Sequence, residues 1–102
     1  MIGGISDVNW QKIIGIISQY KNIEAVILYG SRAKGNFQDG SDIDLAFKGR
    51  DIFSEQLTRI SMDYEDLFLP WKLSLTVYSD IVNTELTSHI DRVGIDILSL
   101  FK

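Results

Sequence analysis

Gly30-Ser31 and Asp42-Ile43-Asp44 are the residues whose types and spacing could do chemistry, with ten residues between Ser31 and Asp42. A Gly-Ser turn that ends an apolar run and opens into a helix offers backbone N–H groups, a hydroxyl and the positive end of a helix dipole, the means by which proteins cradle phosphate. Two aspartates on one strand face repel each other unless positive charge lies between them. A divalent cation held by oxygen, such as Mg²⁺, is the usual answer. Together the two motifs could hold a triphosphate through Ser31, with metal on Asp42 and Asp44 polarising the phosphorus under attack. Arg32 and Lys34 follow the turn closely enough to add positive charge toward such phosphates. A lone Gly-Ser is an ordinary turn and a lone Asp-x-Asp is ordinary surface chemistry, so the spacing between them carries the specificity.

The elements that must position these residues can be read from the periodicity of apolar side chains. Ser6 or Asp7 can cap a helix in which Trp10, Ile13, Ile14, Ile17 and Tyr20 recur at helical spacing. Ala25 to Tyr29 is apolar on both faces and is predicted as a central strand that Gly30 ends. Ser31 to Lys34 reads as a short helical turn, and Gly35 to Gly40 as a loop rich in turn formers. From Asp42 to Phe47 the alternation puts Ile43, Leu45 and Phe47 on one face and Asp42, Asp44 and Ala46 on the other. A long amphipathic helix is expected from Asp51, carrying Phe53, Leu57, Ile60, Tyr64 and Leu67, with Pro70 at its exit. Lys72 to Tyr78 alternates as a third strand. A last helix begins at Asn83 or Thr84, carries Leu86, Ile90 and Val93, and stops at Gly94. Ile95 to Leu100 is a short apolar tail that could bury itself in the same chain, in a partner or in a second copy. The pattern predicts an α/β (α+β) fold, a small mixed sheet with helices packed on one face and polar residues on the other.

Composition narrows the function classes. The 102 residues, 45% hydrophobic and 24% charged, suit one domain spanning 1–102 with a modest core. With no cysteine, neither a disulfide framework nor a thiolate metal site is available. The N-terminus lacks a basic region followed by an apolar one, and no apolar stretch approaches the ~20 residues of a membrane span, so the reading is a cytoplasmic protein with no membrane partner. A net charge of −4 argues against broad binding of nucleic-acid backbones. His89, the sole histidine, reads as a surface or partly buried side chain of the last helix. Trp10 and Trp71 read as core or interface anchors, since no basic groove accompanies them.

Gly30-Ser31-Arg32-Ala33-Lys34-Gly35, followed by Gly40-Ser41-Asp42-Ile43-Asp44-Leu45, resembles the signature of the DNA polymerase β-like nucleotidyltransferases in their minimal form. The resemblance covers nearly the whole chain, from an opening helix to a short Gly-containing tail at Arg92-Val93-Gly94. It implies the palm-like nucleotidyltransferase fold, ATP with Mg²⁺ as donor, and transfer of a nucleoside monophosphate to an acceptor hydroxyl with release of pyrophosphate. Minimal proteins of this kind are commonly encoded beside a HEPN-domain ribonuclease. The pair forms a toxin-antitoxin system in which the antitoxin adds AMP to a tyrosine of the toxin.

Carried over by position, the resemblance assigns Gly30, Ser31, Arg32, Lys34 and Ser41 to nucleotide binding, and Asp42 and Asp44 to the metal. The similar proteins carry a third carboxylate on the next strand, in a context like Leu69-Pro70-Trp71-Lys72-Leu73-x-Leu75, and here that position is Ser74. A serine supplies neither the charge for a second metal ion nor an effective base toward the acceptor hydroxyl. Asp80 lies six residues further on, roughly 20 Å along an extended strand. Asp63, Glu65 and Asp66 belong to a helix expected on the opposite face. Two readings follow: an adenylyltransferase that modifies a HEPN toxin, or a catalytically inactive nucleotide-binding module that neutralises the toxin by direct binding. Transfer to a small molecule would need an additional domain to form the acceptor pocket.

Overall fold

The computed structural model describes residues 1–102. Ser6 caps the first helix, α1 (Asp7–Ile17), its Oγ accepting from the Asn9 N–H at 3.2 Å. Eleven residues are too few to be stably helical in water alone. What holds α1 is its buried stripe of Trp10, Ile13, Ile14 and Ile17, each worth about 1.5–3 kcal/mol of burial. The helix stops three residues before Tyr20, which packs on the core from the following turn.

β1 (Ile23–Tyr29) and β2 (Ile43–Gly49) form an antiparallel pair in which Leu28 faces Leu45 and Tyr29 faces Asp44. Between them runs the one-turn helix α2 (Ser31–Lys34) and an irregular loop. Helix α3 (Ser54–Glu65) then carries the chain back so that β3 (Leu73–Val77) pairs parallel to β2. This crossover brings Ser74 into register with Asp44. α3 is shorter than the expected stretch from Asp51 to Leu67, and Phe68, at φ 53°, turns the chain toward Pro70. A 3-10 turn at Tyr78–Asp80 leads to α4 (Thr84–Val93), capped by the Asn83 side chain and closed at Gly94 as expected.

The tail does more than the sequence predicts. Ile95–Asp96 forms a fourth strand, β4, antiparallel to β1, and Ile97–Phe101 forms a final helix, α5. The strand order is β3-β2-β1-β4, so β1 and β2 are interior, as the apolar character of Ala25 to Tyr29 on both faces predicts. Ile97 and Leu98 are buried in the core, and the Phe101 ring stacks on Trp10 at 6.4 Å. Of the three fates open to the tail, the structure selects burial in its own chain.

The main core lies on one face of the sheet, where α1, α3 and α5 cover Val26, Leu28, Ile43, Leu45 and Phe47. The face bearing Asp44 is not bare. α4 packs there against β1, with Ile90 buried outside the main core and His89 edge-on to Tyr29. No helix is long and apolar enough to cross a membrane.

Candidate functional site

The site is built where β1 ends and β2 begins. Gly30 has φ 74° and ψ −157°, a conformation that side-chain-bearing residues avoid. A β-carbon at that position would also run into the Asp44 carboxylate, so steric and backbone demands both require glycine. Ser31 then starts α2, which Gly35 closes at φ 95° with its N–H on the Ser31 carbonyl at 2.9 Å. The turn and the strand that begins at Ile43 are thereby pressed together, and the ten-residue interval in sequence becomes direct contact between Gly30 and Asp44.

Ile43 points into the core and Asp44 to the opposite face, where it is half-buried; Asp42, just before the strand, is exposed. Burial and the neighbouring Asp42 charge raise the Asp44 carboxyl above its ordinary range. Tyr29, its cross-strand neighbour, is also raised, by burial and then by the Asp44 charge. Asp44 is thus a carboxylate with unmet negative charge. Two oxygen donors under mutual repulsion fit one Mg²⁺, which commonly takes one or two carboxylates and completes its shell with water and substrate phosphates. No group of three or more metal-ligating side chains is assembled, and Ser74 is the residue beside Asp44 on β3.

Arg32 departs from the expectation that it faces phosphate. It is buried, 2% exposed, beneath the loop that joins α2 to β2. Its guanidinium donates to the carbonyls of Gly3 (2.7 Å), Ser41 (2.9 Å), Asp39 (2.9 Å) and Gln38 (3.4 Å). It also lies over the rings of Phe37 (5.1 Å) and Trp71 (5.5 Å). A planar fork of donors suits this task, and a cation so enclosed is committed to the loop. Ser41 is similarly engaged, its Oγ accepting from the Gln38 N–H at 2.9 Å while its carbonyl holds Arg32. Both residues shape the approach to Asp42 through the backbone. Lys34 is exposed at the end of α2.

His89 is partly buried, as the sequence reading allows, and stands beside the site, which that reading does not specify. Its Nε2 accepts from the Gly30 N–H at 3.1 Å, and its ring meets Tyr29 edge-on at 6.3 Å. The signal was present but faint: His89 lies three residues after Leu86 and one before Ile90, on the apolar side of α4. What the spacing could not reveal is that this side packs on the site face.

Three surface hollows occur elsewhere, and none is lined by Ser31, Asp42 or Asp44.

A comparison with curated protein sequences finds no match. Among solved structures, the chain is similar to a toxin-antitoxin crystal structure with AMP-PNP, at 20% identity and a TM-score of 0.66, covering 91% of this chain and 80% of the other. It is also similar to the toxin-antitoxin MntA-HpeT in a form with two aspartate-to-glutamate changes, at 18% identity and a TM-score of 0.71, with the same coverage. At these identities the likeness is one of fold. The family model for polymerase beta nucleotidyltransferases matches residues 11–100. That span includes the Gly30-Ser31 turn, both aspartates and all four strands, and the chain belongs to the polymerase beta nucleotidyltransferase family.

Proposed function

We propose that this chain is the antitoxin of a toxin-antitoxin pair, binding ATP with Mg²⁺ and directing AMP to a tyrosine hydroxyl of a HEPN ribonuclease partner. The observation that carries the reading is the contact between the Gly30 turn and Asp44, which sets the Gly-Ser turn beside the Asp42 and Asp44 pair. The fold likeness to toxin-antitoxin structures, one of them with AMP-PNP, supports it.

In the transfer, the tyrosine oxygen forms a bond to the α-phosphorus as the bond to the β-phosphate oxygen breaks and pyrophosphate leaves; the hydroxyl proton passes to a base or to water. Ser31 would hold the phosphates from the turn that Gly30 shapes, Asp42 and Asp44 the cation, and Lys34 would contribute positive charge from solvent. The bound Mg²⁺ would stabilise charge on the phosphates. Ser74 stands beside Asp44, where the family resemblance calls for a third carboxylate. Without that charge the second cation has no ligand there and the hydroxyl has no strong base, so turnover is slow.

Ser74 also favours a second reading, in which the chain binds nucleotide and silences the toxin by occupying its surface. Calorimetry of ATP with Mg²⁺, followed by intact mass measurement of the co-expressed partner, separates the two. Addition of AMP to the partner, increased in Ser74→Asp, is the expected result. A stable complex that stays unmodified even with Ser74→Asp establishes the binding module. If neither nucleotide nor partner binds, both readings fail.

A further inference from the structure

We infer that His89 is a positioning residue of the nucleotide site, setting the Gly30-Ser31 turn from α4 through its Nε2. The inference rests on the reading of the site as nucleotide-binding and adds a residue from outside its two motifs.

Gly30 is held on two sides. Its N–H donates to His89 Nε2 at 3.1 Å, and its α-carbon lies so close to Asp44 that no side chain could be added. This bond, donated by Gly30 to His89, is the one between the turn's backbone and a side chain, since α2 has no side-chain cap of its own. The bond anchors the Tyr29–Gly30 peptide plane, from which Gly30 turns the chain into Ser31 at positive φ, so losing the acceptor loosens the start of the turn. The imidazole is itself fixed by packing of its helix. Ile90, next to it, is buried against β1, and the ring meets the Tyr29 edge. An Nε2 that accepts has its lone pair engaged and its proton on Nδ1. In this state the ring is neither a base toward an acceptor hydroxyl nor a metal ligand, and it acts on the reaction through the turn.

Two variants of the full chain test this. His89→Gln places an amide oxygen near the position of Nε2, whereas His89→Phe keeps a ring beside Tyr29 but removes the acceptor. In the free protein, the Gly30 amide proton resonance should move upfield in His89→Phe and stay near its original position in His89→Gln. Affinity for ATP with Mg²⁺ should fall about 3- to 10-fold in His89→Phe, the equivalent of one neutral hydrogen bond, and return to within about twofold in His89→Gln. A long-range proton-nitrogen spectrum of the unaltered protein should show Nδ1 protonated, which settles the matter even if a variant fails to fold. A Gly30 resonance unmoved by His89→Phe, an Nε2-protonated ring, or equal loss of affinity in both variants would overturn the inference. Failure of the unaltered chain to bind nucleotide would instead overturn the functional reading, because the Gly30 and imidazole signals are read without ligand.

Discussion

Asp44 is placed where an ionised carboxylate is costly, half-buried and close to a second negative charge. A carboxyl raised in the folded state binds its proton more tightly there than in the unfolded chain. Its favourable contribution is therefore complete at pH values below the unfolded pKa, about 4, and is lost as pH rises through the folded value. At neutral pH the charge is a net cost. Asp44→Asn should accordingly raise the melting temperature at pH 7 by about 2–4 °C, a gain on the order of 0.5 kcal/mol after allowing for solvent screening. Near pH 3 the variant and its parent should melt alike. The same substitution should abolish Mg²⁺-dependent nucleotide binding, and a thermal melt with and without ATP and Mg²⁺ reads both effects. A variant that is less stable at pH 7 would contradict this account of Asp44.

The loop between α2 and β2 depends on a side chain it encloses. Arg32 satisfies four carbonyls and stacks between two rings, so its removal strands several acceptors at once. Arg32→Met should cost about 2–4 kcal/mol in urea unfolding, and Arg32→Lys should recover little of it, because an ammonium cannot reproduce the fork. Mg²⁺-dependent nucleotide affinity should weaken in both variants as the backbone before Asp42 loosens. At the opposite end of the chain, α5 supplies Ile97, fully buried among α1 and β1 residues. Ile97→Ala should cost about 2–5 kcal/mol, measured in the same unfolding experiment, since the cavity it leaves is lined by side chains already close-packed. A cost below about 1 kcal/mol would mean that α5 is not integral to the core.

The whole molecule is held by one principal core, with a radius of gyration of 12.7 Å, close to the about 13 Å expected of a single folded domain of this length. A single cooperative thermal transition should follow, with an enthalpy of roughly 60–80 kcal/mol and equal calorimetric and van't Hoff values. ATP with Mg²⁺ at about 100 times its Kd should add about 2.7 kcal/mol to that transition if it binds the folded state alone. Two resolved transitions in calorimetry would contradict the single core. The net charge of −4 gives the molecule as a whole no attraction for anionic polymers, so any nucleotide must be held by local groups.

Periodicity and caps carried much of this structure in the sequence. Ser6, Asn83 and Gly94 bound their helices because capping is a local interaction, and the alternation through β2 separates Ile43 from Asp44 because successive strand side chains point to opposite faces. Gly30, Ser31, Asp42 and Asp44 were visible as a pair of motifs for the same reason. The tail was less legible: two residues such as Ile95 and Asp96 show no period of their own and become a strand only because β1 offers a free edge. The surroundings of Arg32 and His89 are set by long-range contacts. A guanidinium beside a Gly-Ser turn reads as a phosphate ligand until the carbonyls of Gly3 and Ser41 fold around it, and a histidine on a late helix reads as surface or partly buried with no partner named until α4 settles against β1. Local chemistry, written in spacing, specified which groups could meet phosphate and metal. Packing between segments distant in sequence set which of them remain free to do so, because burial and hydrogen bonding commit a side chain only once its neighbours have arrived.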